Sequence, residues 1–349
     1  MKRILLLINS IFILLFISSC SINTSNTTVD TTTVSIPIST TVETTTEEII
    51  EQKPLGTWWW NKNLDIDEYL EFAKNNNVTE IYFCDYSFTD NFKTLLSKAN
   101  NYSIKVYLLA GEKEWLNDRS NLDKLINNYI EFQNNNEYKL SGIHLDIEPH
   151  QFSDFSSNRY DYLYKLINLI KTNEELYTTI DFDYDIPFWL DDIIEYNNIS
   201  KEAYKHIIDY ANRVFIMSYR DEATKMVDVS KDEIKYAKDN NKILFLSAET
   251  YSLEGDQVSY LEEGKTYMND ELNKLRDLIP DNFGIAIHNI KSWTELKNWV
   301  IYSIFYFILF HFLSFFMNLF ISYYLYMYII VNLPQLILFN NIYYGKVTN

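Results

Sequence analysis

The sequence predicts an α/β chain folded as a (β/α)8 barrel between Pro54 and Trp299. Two observations carry this expectation. Eight short runs rich in β-branched and aromatic residues alternate with longer stretches of helical apolar spacing, the pattern of repeated strand and helix units. The span of about 240 residues gives each unit about 30, as in a barrel of eight units. An open doubly wound sheet is the competing arrangement. Against it, no Gly-rich phosphate loop follows the first run, and the chain holds only seven glycines.

Taken in order, residues 1–20 read MKRILLLINSIFILLFISSC, a basic start, an apolar run from Ile4 to Ile17 and small residues before the end. This is a secretory signal pattern, and it predicts export to the cell surface. The ending Ile17 to Cys20 resembles the lipobox of bacterial lipoproteins, which implies lipidation of Cys20; an ordinary signal peptide with an incidental Cys is the other reading. Residues 21–53 turn to Thr, Ser and Glu with no periodic apolar face, a disordered linker.

The barrel runs then follow: GTWWW from Gly56, EIYFCD from Glu80, IKVYLLAG from Ile104 and GIHLDIEP from Gly142. The second half supplies YTTIDFD from Tyr177, RVFIMSY from Arg213, KILFLSAE from Lys242 and GIAIHNI from Gly284. After the first run, LDIDEYLEFAKNNN places Leu64, Tyr69, Leu70 and Phe72 on one helical side, with Asn where the helix should stop. Cys84 sits in an apolar run and reads as an inert core thiol. The tail, residues 300–349, differs in kind. No charged residue occurs from Asn298 to Tyr344, and the apolar stretch exceeds the roughly 20 residues that span a bilayer. One or two membrane helices are expected there, unless this is an altered chain end.

Net charge is -18, with 30 Lys and Arg against 48 Asp and Glu, so a phosphate backbone would be repelled and nucleic acid is excluded as a partner. The chemistry concentrates in SGIHLDIEPH, Ser141 to His150, where His144, Asp146, Glu148 and His150 share one parity and Ile143, Leu145 and Ile147 the other. In a barrel strand the apolar parity faces the helices, and the polar one lines the axis and rises toward the catalytic rim. Several ionisable groups buried there must be paired or used.

GIHLDIE resembles the fourth-strand signature of glycoside hydrolase family 18, the chitinases and endo-N-acetylglucosaminidases, written D-G-x-D-x-D-x-E. Gly142, Asp146 and Glu148 match, while Ser141 and His144 stand where that family has Asp. Met217 to Tyr219, MSY, resembles its M-x-Y motif, although Arg220 precedes Asp221. On the eighth run the family's Trp is replaced by His288, with Trp293 nearby. The resemblance implies that Glu148 protonates the glycosidic oxygen, that Asp146 orients an acetamido group and tunes Glu148, and that Tyr219 hydrogen-bonds the same group. Two carboxylates so close cannot both ionise freely, so one pKa should rise. Glu148 followed by Pro149 also resembles the 4/7 clan of glycosidases, which would make Glu249 a nucleophile; the clan's Asn before the acid is Ile147 here.

Candidate substrate contacts are His144, Trp58, Asp85, Met217, Arg220, His288 and Trp293, drawn from a wider set of aromatic and acidic residues at the strand ends. Metal binding is the competing chemistry of the His/Asp/Glu alternation. Four ligands on one strand would climb about 20 Å, so one ion would need His288, Asp183, Asp185 or Glu249 to converge. No metal or other cofactor is expected. The expected function is an exported glycoside hydrolase-like barrel acting on a glycan, anchored to a membrane by lipid or tail. The alternatives are a surface carbohydrate-binding protein without turnover and a metal-dependent hydrolase.

Overall fold

The computed structural model describes residues 53–255 and 257–344. The expected leader, Cys20 and the linker up to Gln52 lie outside these residues. Within them, eight parallel strands close a barrel: β1 (Leu55–Trp59), β2 (Glu80–Phe83), β3 (Lys105–Ala110), β4 (Gly142–Leu145), β5 (Phe182–Pro187), β8 (Arg213–Met217), β9 (Ile243–Glu249) and β10 (Gly284–His288). The ring runs β1-β10-β9-β8-β5-β4-β3-β2 and closes between β1 and β2, where Gly56 to Trp59 pair with Glu80 to Phe83.

The helices follow their local signals. α1 (Ile66–Asn75) starts where the Asp65 carboxylate accepts the amides of Asp67 and Glu68, and left-handed Asn77 (φ 57°) follows its end. α2 (Asp90–Asn101), α3 (Ser120–Asn135), α4 (Arg159–Leu176), α5 (Ala203–Tyr210), α6 (Ala223–Val229), α7 (Lys231–Asp239) and α8 (Gly264–Leu278) lie between the strands. α9 (Ile290–Glu295) opens on a capping box of Asn289 and Ser292.

Two elements differ from the sequence expectation. The fifth strand begins at Phe182 and not at Tyr177, because the β-branched TTI stretch turns out of α4, with the Ile180 amide on the Tyr177 carbonyl. A hairpin, β6 (Ile193–Tyr196) and β7 (Ile199–Glu202), follows β5; its turn residues Asn197 (φ 52°) and Asn198 (φ 62°) are both left-handed, as a two-residue I′ turn requires.

Parity separates two cores. One parity (Trp59, Ile81, Phe83, Leu108, Ile143, Leu145, Phe182, Tyr184, Val214) packs under the helices. The other fills the barrel with Trp58, Tyr82, Tyr107, Leu109, Phe215, Phe245 and Ala286, topped by half-buried Trp60 and Cys84. Gly56 makes this possible, since a Cβ there would lie 2.2 Å from the Tyr82 hydroxyl. Burial pushes the Cys84 thiol up to about 11, which makes it a poor nucleophile.

The tail is one continuous helix, α10 (Trp299–Tyr344), one residue earlier than the expected boundary. Leu309–Val331 is a 23-residue stretch of mean hydropathy 1.5 with its side chains exposed, long and apolar enough to cross a membrane. At 1.5 Å per residue it measures about 35 Å, against a hydrocarbon core of about 30 Å.

Candidate active site

The barrel interior is built in tiers of alternating charge. At the base, Arg213 donates to Asp183 at 2.5 and 2.7 Å and to both oxygens of Glu80 at 2.9 Å, while the Tyr82 hydroxyl donates to Glu80 at 3.1 Å. The guanidinium lies over the rings of Tyr107, Phe245 and Phe215. Burial would raise the Asp183 carboxyl, but Arg213 and His144 outweigh it and hold it below the ordinary range.

His144 occupies the next tier, fully buried and stacked on Tyr82 at 4.1 Å. Its Nε2 lies 2.8 Å from Asp185 Oδ2, and its Nδ1 faces Asp183 Oδ2 at 3.5 Å, an ion-pair distance beyond a good hydrogen bond. Burial alone would lower this imidazole; the carboxylates of Asp185 and Asp183 reverse the effect and lift it to about 9. His144 is therefore an imidazolium at neutral pH, and the Trp58 indole N–H, 3.1 Å from Asp185 Oδ2, donates to that carboxylate. Among the described residues, no group of three or more His, Cys, Asp or Glu side chains is placed to hold a metal ion.

Above His144 the acids meet. The Asp146 amide donates to the Ala110 carbonyl at 2.9 Å, and Gly111 allows this approach: a Cβ on Gly111 would lie 2.0 Å from the Asp146 carbonyl oxygen. Asp146 Oδ1 and Asp185 Oδ1 are buried without a partner. Burial, then the charges of Asp185 and Glu148, push the Asp146 carboxyl well above the ordinary range, with His144 opposing. Of the two paired acids, Asp146 is the one whose pKa rises. The Glu148 side chain is 19% exposed; it accepts from Gln151 Nε2, and its Oε1 lies 3.5 Å from His150 Nε2. Tyr219, beyond β8, has a hydroxyl raised by burial and then by Glu249, Asp185, Asp146 and Glu148, so it stays protonated beside the acid cluster.

Glu249 ends β9 and is 2% exposed. Its Oε1 accepts the amides of Thr250 and Tyr251 at 2.7 and 2.8 Å, and its Oε2 lies 2.8 Å from His288 Nδ1. His288 Nε2 accepts the Trp60 indole N–H at 3.1 Å, which fixes the ring proton on Nδ1. The His288–Asn289 peptide is cis.

Other expected contacts lie elsewhere. Trp58 is 1% exposed inside the barrel with its N–H engaged, so it braces the floor and offers no free face. Trp293 is 2% exposed in α9, edge-on to Phe72 at 5.1 Å, part of the helix-layer core. Asp85 is a buried loop anchor: it accepts from Ser87, Thr89 and Lys62, and these hydrogen bonds overcome its burial and lower its pKa. Arg220 donates to the Tyr219 carbonyl at 2.6 Å and lies over Phe188. Met217 is half-buried at the end of β8. Sequence reasoning passed over Arg213 and Glu80 and did not single out Trp60 from the aromatic residues at the strand ends. Trp58 and Trp60 share a parity, so the outermost tryptophan on the inner face was readable as Trp60.

Fold and site together define an eight-stranded parallel barrel with a carboxylate cluster at its C-terminal mouth, where barrels of this type carry their chemistry. No family model matches the sequence, and no curated protein matches it. Solved structures with a similar fold include a GH18 chitinase from Cycas revoluta in complex with (GlcNAc)3, at 10% identity and TM-score 0.43 over 68% of this chain and 95% of that one. The spore cortex-lytic enzyme SleL of Bacillus megaterium gives 14% identity and TM-score 0.42 over 69% and 72%. A Rhizomucor miehei beta-1,3-glucanosyltransferase mutant in complex with laminaritriose gives 13% and 0.42 over 68% and 86%. At these identities the likeness concerns the barrel alone, which the strand pairing already establishes.

Proposed function

We propose that the barrel is a glycoside hydrolase in which Glu148 donates a proton to the glycosidic oxygen, and Asp146 and Tyr219 hold an acetamido group of the sugar. One observation carries the reading: Asp146 is a buried carboxyl with a free Oδ1, its pKa pushed up by burial and by the charges of Asp185 and Glu148, beside a solvent-reached Glu148. As the C1–O bond breaks, the Glu148 proton passes to the leaving oxygen and the acetamido oxygen bonds to C1; water later opens that ring and returns a proton to Glu148. Asp146 and the Tyr219 hydroxyl are each able to orient the acetamido group. Glu249 is enclosed by three donors, which supports a positioning role over direct attack on C1.

The test uses the full-length protein on N-acetylglucosamine-containing glycans. Glu148→Gln should lower turnover by about 100- to 10,000-fold with the fold intact; full turnover in this variant refutes the assignment. A second reading, a carbohydrate-binding barrel without turnover, is favoured by one detail: both Glu148 oxygens already have neighbours in Gln151 and His150. Any glycan release by the wild-type protein that Glu148→Gln abolishes removes that reading.

The leader supports export and the apolar α10 supports membrane attachment, so we place the barrel at a membrane surface. Fatty-acid labelling that disappears in Cys20→Ala would establish the lipid; labelling absent from the wild type would refute it.

A further inference from the structure

We propose that Trp60 is the stacking platform for a pyranose ring, and that Glu249 and His288 act as a positioning relay that fixes its indole. This rests on the glycan reading above and names the face that the sugar meets. The relay has four links. The backbone amides of Thr250 and Tyr251 hold Glu249 Oε1 at 2.7 and 2.8 Å; Glu249 Oε2 receives the His288 Nδ1 proton at 2.8 Å; His288 Nε2 receives the Trp60 N–H at 3.1 Å.

Trp60 lies one inward position above buried Trp58 and packs on top of the inner column, half-buried where Trp58 is enclosed. A large aromatic body with its polar atom tied down and part of its surface open suits the apolar C–H face of a neutral sugar ring. The relay also accounts for His288 on β10: it supplies the acceptor that the Trp60 N–H needs on the adjacent strand, β10 being paired with β1. Neither Trp58 nor Trp293 is able to take this role, because both are buried.

The experiment screens the full-length protein in detergent on an array of neutral pyranose oligosaccharides, then titrates the tightest binder while following tryptophan fluorescence. Trp60→Ala should weaken binding about tenfold, and Trp60→Phe, which keeps a ring but loses the N–H, should retain most of it. His288→Ala should weaken binding about threefold in the Trp60 protein and have no effect in Trp60→Phe, a coupling that a general structural defect would not produce. Unchanged affinity in Trp60→Ala, or equal effects of His288→Ala in both backgrounds, overturns the platform and leaves the hydrolase assignment standing. If the wild type binds no glycan, the platform and the proposed function fall together.

Discussion

Raising the pH from 6.5 to about 9.5 should destabilise the barrel chiefly through His144, with smaller losses of the same sign from Glu174 and Glu233, both raised to about 7 by burial. Its imidazole is fully buried, so solvent does not screen its contacts, and the two flanking carboxylates lift it from the ordinary 6.5 to about 9. The folded state therefore binds this proton more tightly than the unfolded chain. The stabilisation is complete below pH 6.5 and is lost as the pH climbs through about 9. At 1.36 kcal/mol per pKa unit the loss is about 3 kcal/mol, which for a domain of this size lowers Tm by roughly 6–12 °C. Asp146, also raised, acts with the same sign from lower pH, whereas His206 is lowered by burial and acts with the opposite sign below 6.5. Thermal unfolding of the full-length protein in detergent, followed by near-UV circular dichroism at half-unit pH steps, measures the slope. His144→Asn should be less stable at pH 6.5 and nearly flat from there to 9. A flat wild-type profile, or an equal slope in the variant, would refute the imidazolium assignment.

Arg213→Met should cost about 3–5 kcal/mol, because it strands Glu80 and Asp183 as buried charges; denaturant unfolding at pH 7 reads this, and a loss below about 1 kcal/mol would contradict the base tier. Gly111→Ala places a methyl 2.0 Å from the Asp146 carbonyl, so turnover should fall about 100-fold as the acid shifts, and wild-type kcat would show that Asp146 position is not critical. Glu249→Gln sets an amide N–H against the His288 Nδ1 proton, so the ring should change tautomer and release Trp60. Glycan affinity should then fall about as far as in His288→Ala; formation of a glycosyl azide when azide is added would instead identify Glu249 as the nucleophile.

The eight strands were legible because each carries dense β-branched or aromatic residues, and the polar parity of β4 predicted inward-facing His144 and Asp146. The offset of the fifth strand was hidden because Thr178, Thr179 and Ile180 have strand propensity but serve as the turn out of α4. The hairpin after β5 had a signal, adjacent Asn197 and Asn198 between two short apolar segments, which was easy to lose in an Asn-rich chain. Site residues proved less legible than strands. Trp58, Asp85 and Trp293 have side chains suited to sugar binding, and only strand height and helix packing separate them from Trp60. Arg213 was hidden for a different reason: it opens β8, and its partners Glu80 and Asp183 come from two distant strands that closure of the barrel brings together.

The tiered interior gives a physical reason for a basic side chain at position 144. Going up the axis, Glu80 and Asp183 flank the Arg213 cation, Asp183 and Asp185 flank the His144 cation, and Asp185 adjoins Asp146. A carboxylate at 144 would add a third negative charge beside Asp183 and Asp185, with only Arg213 at Asp183 to offset them, and an unpaired charge in a dry interior is expelled or neutralised. An imidazolium instead pairs with both neighbours. Asp185 and Glu148 then raise the Asp146 carboxyl, and the cation nearest Asp185, His144, is shared with Asp183. Replacing His144 should accordingly change the pH profile of turnover as well as stability. With the cation gone Asp146 loses the one charge that opposes its upward shift, and the alkaline limb of kcat should move in His144→Asn; a limb that stays in place would separate the buried tiers from the chemistry at the mouth.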